Sequence, residues 1–154
     1  MDNDASVAQV RRRLAAPPER VFAAFADAKL VSRWLTPSPD ITLKVLSFDF
    51  RIGGSFRFAY LVPDGPPMIV NGSYRVIEPP GRLAFSWNIE PPDEHAGLRS
   101  EVIVSITPDR GGCELHIRHS QLDLPGSVGR HNDGWLGALD LLGVLLSNPM
   151  QEKD

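Results

Sequence analysis

The chain has 154 residues, a formal net charge of −3 and one cysteine. This is the size of a single domain, the charge argues against a dedicated nucleic-acid-binding protein, and an internal disulfide is excluded. Residues 1 to 10 lack a signal peptide's basic start and apolar run, and no apolar stretch approaches the ~20 residues that cross a bilayer. We therefore expect a cytoplasmic protein without membrane insertion, and frequent arginine and proline favour a bacterial origin.

The first part of the chain predicts one strand and two short helices. Residues 7–14 fit a strand, and its basic run, residues 11–13, is interpreted as a solvated strand end, with a contact site as the alternative. The prolines of APPERVFAAFAD suit a first helical turn, where a missing N–H costs nothing. Asp27 can cap the second helix, which carries Val31 and Trp34 on its apolar face.

Residues 41–120 predict about six further strands joined by turns rich in glycine and proline. The segment RLAFSWNIE, residues 82–90, alternates strictly, with Leu83, Phe85, Trp87 and Ile89 on one face. Such alternation is typical of a strand with one buried face. Consecutive strands joined by tight turns are antiparallel, so the sequence predicts one antiparallel sheet.

A long amphipathic helix is predicted from about residue 129 to residue 147, where Trp135, Leu139, Leu142 and Leu146 recur at helical spacing. It is the only predicted element large enough to cover the concave face of a seven-stranded sheet. The sequence therefore predicts an α+β fold: a curved seven-stranded antiparallel sheet wrapped around a long C-terminal helix, with two short helices after the first strand. We expect one domain over residues 7–148, with flexible tails at 1–6 and 149–154.

Four segments, in this order, carry a resemblance to a known family: PPERVFAAFADAKLVSRWL, GGSFRF, GSYRVIEPPGRLAFSW and HNDGWLGALDLLGVLL. Together they span roughly residues 8–148. The chain resembles the helix-grip fold of the START-like (SRPBCC), birch-pollen-allergen-like superfamily, and within it the family related to activators of the heat-shock-protein-ninety ATPase (AHSA-like). The resemblance implies an apolar cavity between sheet and helix that carries, senses or transforms small hydrophobic molecules.

The residues expected to line that cavity come from the apolar faces of the sheet and the helices. They are Phe25, Trp34, Phe56, Phe58, Tyr60, Tyr74, Phe85, Trp87, Val104, Ile117, His119, Trp135, Leu139 and Leu142. The alternative for each is a packed core, because aromatic side chains dominate cores as well. Many relatives have two adjacent tryptophans where this chain has Trp34-Leu35, so a relative's ligand cannot be transferred to it.

His119 is the leading candidate for chemistry, since it faces inward by alternation and histidine titrates near neutrality. A buried histidine satisfied by the backbone is the alternative. Tyr60, Tyr74 and His131 are further polar groups that could orient a ligand. The sequence contains no nucleophile elbow, phosphate loop or dinucleotide fingerprint, and the histidines lack metal-ligand spacing. We expect no metal and no cofactor.

The function we expect is binding or carriage of a small hydrophobic ligand, in preference to catalysis. A cyclase- or aromatase-like enzyme acting on such a ligand, with His119 as acid or base, stays open, and so does a chaperone-related protein-interaction module. The co-chaperone activity that names the family belongs to larger proteins with an additional domain, for which we expect this chain to have no room. We expect no nucleic-acid partner, and homodimerisation stays open.

Overall fold

The computed structural model describes residues 6–147, and its elements follow the predicted order. Strand β1 and helices α1 and α2 come first, then strands β2 to β7, then helix α3. Their bounds are β1 Ala8–Leu14, α1 Pro18–Ala26, α2 Ala28–Trp34, β2 Thr42–Phe48, β3 Ser55–Leu61, β4 Met68–Glu78, β5 Arg82–Ile89, β6 Arg99–Asp109, β7 Gly112–Ser120 and α3 Ser127–Leu146. The predicted tails, apart from Ser6, and the predicted domain end at 148 lie outside the described residues.

The strands form one seven-stranded sheet in the order β1-β7-β6-β5-β4-β3-β2, and every neighbouring pair is antiparallel. The first strand thus pairs with the last, from Ala8 opposite His119 to Leu14 opposite Cys113. The register shifts in the β2–β3 pair and again in the β4–β5 pair. Such irregularities bend strands. The sheet and the long C-terminal helix together confirm the predicted α+β helix-grip architecture.

The two short helices begin as their sequences predict. Pro17 and Pro18 occupy the start of α1, which has no side-chain cap. The Asp27 carboxylate accepts hydrogen bonds from the backbone N–H groups of Lys29 and Leu30 in the first turn of α2, at 2.8 and 3.3 Å. Trp34, the last residue of α2, joins the two helices, because its Nε1 donates to the Ala24 carbonyl of α1 at 2.9 Å.

Helix α3 begins at Ser127, two residues before the predicted start, after Gly126 in a left-handed conformation with φ 79°. Its buried face includes Trp135, Ala138, Leu139 and Leu142. The helix passes very close to the loop after α2: a Cβ added at Gly137 would stand 1.9 Å from the Pro37 carbonyl oxygen. Glycine is therefore required there for the two segments to approach.

The basic run of β1 is paired with carboxylates. Arg11 contacts Glu114 at 3.5 Å and Arg13 contacts Asp109 at 3.4 Å, while Arg12 contacts Asp140 of α3 at 3.0 Å. These pairs place the run at a solvated strand, as the sequence interpretation had it. Between residues 6 and 147, no helix has the length and apolar character to cross a membrane.

Candidate functional site

A cavity of about 340 Å³ lies between α3, the loop after α2 and the middle strands of the sheet. Small-molecule sites have volumes of ~300–1,000 Å³ and mostly apolar linings with a few polar groups. This cavity has that character. Its lining residues are Leu35, Pro37, Ile41, Tyr60, Val62, Pro66, Met68, Trp87, Asp93, Arg130, His131, Gly134, Trp135 and Ala138.

Three of the residues expected to line a cavity, Tyr60, Trp87 and Trp135, are on its wall. The structure buries the others in the surrounding core, and a contact between them and a ligand stays a prediction. That group comprises Phe25, Trp34, Phe56, Phe58, Tyr74, Phe85, Val104, Ile117, His119, Leu139 and Leu142.

Trp87 belongs both to the core and to the cavity wall. It is 6% exposed, and its ring centroid lies 6.4 Å from that of Phe58 and 6.0 Å from that of Trp135. Its backbone carbonyl accepts a hydrogen bond from Ser100. The side-chain Nε1, however, is buried without a hydrogen-bond partner among the residues the structure describes. Trp87 therefore offers an unused donor on a side chain that lines the cavity.

His119 is fully buried and uses both ring nitrogens in hydrogen bonds. Ser100 Oγ lies 2.7 Å from the Trp87 carbonyl and 2.7 Å from His119 Nε2. Because a carbonyl can only accept, the hydroxyl gives its proton to Trp87 and accepts from Nε2–H. On the other side of the ring, Trp135 Nε1 donates to His119 Nδ1 at 3.1 Å. The contacts therefore define a neutral imidazole that carries its proton on Nε2.

This arrangement leaves His119 little capacity for acid–base chemistry. Burial, and secondarily the nearby His131, hold the pKa of His119 well below its ordinary value of 6.5. A general base needs a lone pair that can reach the substrate's proton, and the one lone pair of this ring is occupied by Trp135. The geometry favours a structural role, in which His119 fixes the Trp135 indole on the cavity wall.

His131 lies in the first turns of α3 and lines the cavity. Its Nδ1 is 2.8 Å from the Ser127 carbonyl, so Nδ1–H is the donor and Nε2 carries the lone pair of the neutral ring. Burial is the main cause that lowers the pKa of His131, and Arg130 and His95 add to it. The ring stands 4.7 Å from that of His119. Neutral His131 is thus a further polar group of the wall, with its lone pair on Nε2.

Two charged residues of the lining neutralise each other. Arg130 Nη1 and Nη2 donate to the two carboxylate oxygens of Asp93 at 2.7 and 2.8 Å, and Nη2 also contacts Met68 Sδ at 2.7 Å. The hydrogen bond from Arg130 is the main cause that lowers the pKa of Asp93. This bidentate pair ties the 90–98 loop to α3 and leaves no net charge for a ligand.

Tyr60 is a polar wall residue that is already satisfied. Its hydroxyl donates to the Leu35 carbonyl at 3.0 Å, and burial raises the pKa of the phenol. The same residue, Leu35, stands on the cavity wall. The hydrogen bond therefore fixes this part of the wall.

Several wall residues were not expected from the sequence. On α3, Arg130, Gly134 and Ala138 are spaced four apart and share one helix face. That spacing was available in the sequence, but the apolar stripe drew attention to the leucines instead. The remaining ones come from loops or from strand ends, where no periodicity marks them: Leu35, Pro37, Ile41, Val62, Pro66, Met68 and Asp93.

A second concavity, of about 700 Å³, lies over β4, β5 and β6 and has a polar lining that includes Asn71, Glu90 and Glu101. Its polar side chains are hydrogen-bonded to neighbouring side chains of the protein. Arg57 donates to Glu90 at 2.8 and 3.0 Å, and Asn71 donates to the same carboxylate at 2.8 Å. We regard it as a solvated surface. No cluster of three or more potential metal ligands occurs within residues 6–147.

A seven-stranded antiparallel sheet with a long helix packed over a cavity defines a helix-grip protein. The sequence model of one family, described as Activator of Hsp90 ATPase homolog 1-like protein, matches residues 15–147. The chain therefore belongs to this family, and the AHSA-like relationship predicted from the sequence is confirmed. A comparison with curated proteins gives no match.

Solved structures of similar fold include protein CV1439 from Chromobacterium violaceum, with a TM-score of 0.83 and 26% identity over 94% of this chain and 99% of that one. CalU16 from Micromonospora echinospora has a TM-score of 0.66 and 27% identity over 95% and 79%. The AHSA1 protein from Silicibacter pomeroyi, at a TM-score of 0.79, is 23% identical over 92% and 98% and shows the fold alone.

Proposed function

We propose that the protein binds a small hydrophobic molecule in the cavity beneath α3 and carries or senses it without transforming it. The observation that supports this proposal is the cavity itself, about 340 Å³ of mostly apolar wall with few polar groups. The family's fold supports it as well, and we propose that residues 7–148 form the single domain that holds the ligand.

The two alternatives have less support. An enzyme needs an acid or base at the ligand. Both nitrogens of His119 are engaged, so this alternative would have to use the Nε2 lone pair of His131 on the wall. A protein-interaction module predicts a large exposed apolar patch. The large apolar side chains that the described residues expose are spread over the edge of the sheet, a turn and α3: Leu46, Ile52, Leu61, Leu136 and Val144.

The proposal is tested with N-phenyl-1-naphthylamine, an uncharged apolar probe whose fluorescence rises in apolar surroundings. We expect saturable binding at one site. Ala138 is 2% exposed and lines the cavity, so Ala138→Phe fills it and weakens binding by about tenfold or more. Val144 is 69% exposed on the same helix, and Val144→Phe is the matched control that keeps wild-type affinity.

Equal affinity of Ala138→Phe and wild type would contradict the proposal, provided that circular dichroism shows the variant folded. Native mass spectrometry of the purified protein, followed by organic extraction, then identifies the chemical class of any retained molecule.

A further inference from the structure

The three tryptophans differ in how their indole N–H groups are used. Trp34 Nε1 donates to the Ala24 carbonyl at 2.9 Å, and Trp135 Nε1 donates to His119 at 3.1 Å. Trp87 Nε1 is equally buried and has no partner within residues 6–147. Buried donors are nearly always paired, and leaving one unpaired costs about 1–3 kcal/mol. The exception therefore needs an explanation.

The location of Trp87 supplies one. Trp87 and Trp135 both line the cavity, and of the two only Trp87 has its N–H without a partner among the described residues. Polar groups of the wall and its surroundings already have partners: both carboxylate oxygens of Asp93 accept from Arg130, and the Ser100 hydroxyl oxygen accepts from His119. No described residue accepts from the Trp87 N–H, so an acceptor atom of a molecule in the cavity would complete it.

The chemistry of the wall also limits the charge of the occupant. Asp93 and Arg130 neutralise each other, and His131, whose Nδ1–H donates to the Ser127 carbonyl and whose pKa is lowered mainly by burial, is a neutral ring. A charged ligand would lose its hydration without gaining a counter-ion, which is costly. An indole N–H can only donate, so it selects for an acceptor atom in the ligand.

We propose that the ligand is an uncharged, largely apolar molecule with a hydrogen-bond acceptor oxygen, such as a ketone, and that Trp87 Nε1–H donates to that oxygen. This inference rests on the proposed function and adds to it the class of ligand and the residue that recognises it. Trp135, fixed by His119, then acts as apolar wall and Trp87 as the polar contact.

The test compares benzophenone with 1,1-diphenylethylene, which have the same shape but carry C=O and C=CH₂ respectively. Binding is measured by the indole ¹H–¹⁵N signals of the uniformly ¹⁵N-labelled protein. We expect benzophenone to shift the Trp87 N–H signal downfield and 1,1-diphenylethylene to leave it without that shift. The Trp34 signal is the internal control, because its N–H is bonded to Ala24 and its side chain is not on the wall.

Affinities supply the second readout. The Kd of the alkene divided by the Kd of the ketone is measured in wild type and in Trp87→Phe, so that the different solubilities of the two probes cancel. We expect this ratio to fall by about three- to tenfold in the variant, the range of one hydrogen bond. Should Trp87→Phe fail to fold, the wild-type signal shifts decide alone.

The outcomes separate the two proposals. If both probes bind, the ratio is the same in both proteins and the Trp87 signal does not respond to the ketone, the inference is overturned while the proposed function stands. Such a result would mean that a water molecule accepts the hydrogen bond from Trp87 Nε1–H. If neither probe binds, both the proposed function and this inference are overturned.

Discussion

Trp135 Nε1 donates to Nδ1 of His119, a hydrogen bond of 3.1 Å that joins α3 to β7. The imidazole in turn donates to Ser100 of β6, which is bonded to the backbone of Trp87 in β5. A chain of polar groups thus runs through the apolar core from the helix to the middle of the sheet. Fully satisfied buried networks of this kind position side chains firmly, and this one fixes one tryptophan of the cavity wall.

The first prediction concerns the pH dependence of stability. His119 and His131 are buried with lowered pKa values, against 6.5 for the free side chain. Below pH 6.5 the unfolded state binds protons that the folded state does not, so stability falls on acidification. Each histidine contributes a slope of at most about 1.4 kcal/mol per pH unit between 6.5 and its folded pKa, and His119, whose pKa is held well below 6.5, comes nearest to that limit. Urea unfolding at a series of pH values measures the slope.

The variant His119→Asn removes one of the two groups, and we expect its slope to be smaller by about 1.4 kcal/mol per pH unit. Its absolute stability also falls through the lost packing and hydrogen bonds, but that loss is present at every pH. His116, whose pKa is lowered as well, is common to both proteins and cancels. A slope equal to that of wild type would show that His119 is protonated in the folded protein.

The second prediction uses two glycines of the same helix. A Cβ at Gly137 would stand 1.9 Å from the Pro37 carbonyl oxygen, whereas a Cβ at Gly143 would meet nothing within 4 Å. Gly137→Ala must push α3 away from the loop that lines the cavity, and we expect a loss of about 1–3 kcal/mol. Gly143→Ala should instead add about 0.5–1 kcal/mol through helix propensity.

Thermal unfolding of the two variants measures both effects, and Gly143→Ala serves as the control for the change in propensity. Probe binding should weaken in Gly137→Ala alone, because the cavity lies between this helix and this loop. Equal stabilisation of both variants would mean that the helix does not approach Pro37 closely.

Most of the fold could be predicted because a half-buried sheet imposes a period of two on its strands. Leu83, Phe85, Trp87 and Ile89, predicted to share one face of β5, are all buried. Helix α3 begins at Ser127, two residues before the predicted start at about residue 129, because the turn that precedes it ends at Gly126 in its left-handed conformation.

The site was less predictable because its decisive contacts join residues far apart in sequence. Burial of His119 follows from alternation, but its pairing with Ser100 and Trp135 depends on strand register and on where α3 lies. The pair of Asp93 and Arg130 joins a loop to a helix across 37 positions. No local pattern encodes such contacts, and the unpaired N–H of Trp87 is visible only once every neighbour is placed.

The third prediction separates two buried tyrosines. Tyr60 donates to the Leu35 carbonyl at 3.0 Å, whereas the Tyr74 hydroxyl makes no hydrogen bond within the described residues. Tyr60→Phe leaves that buried carbonyl without this donor, and we expect a loss of about 1–3 kcal/mol. Tyr74→Phe is the matched control and should change stability by less than about 0.5 kcal/mol. Chemical unfolding measures both, and equal losses would show that the Leu35 carbonyl is satisfied without Tyr60.

The fourth prediction concerns the Asp93–Arg130 pair, which joins the 90–98 loop to α3 beside the cavity. The Asp93 side chain is 13% exposed and that of Arg130 33%, so solvent screens the pair only in part. Asp93→Asn keeps the shape but removes the charge and one acceptor, and we expect a loss of about 1–2 kcal/mol. Because the pKa of Asp93 is lowered by Arg130, this contribution is present above the unfolded value of 3.8 and is lost as the pH falls through the folded pKa.

Loosening this pair should change the kinetics of the site more than its affinity. The loop carries Asp93 on the cavity wall, so a weaker tie to α3 lets it open more often, and amide hydrogens of residues 93–98 should exchange faster in Asp93→Asn. Bound probe should dissociate faster in stopped-flow displacement. The matched control is Asp49→Asn, which removes the carboxylate of an exposed ion pair with Arg51 and should leave both rates unchanged. Unchanged exchange and dissociation in Asp93→Asn would show that the loop is held by its other contacts.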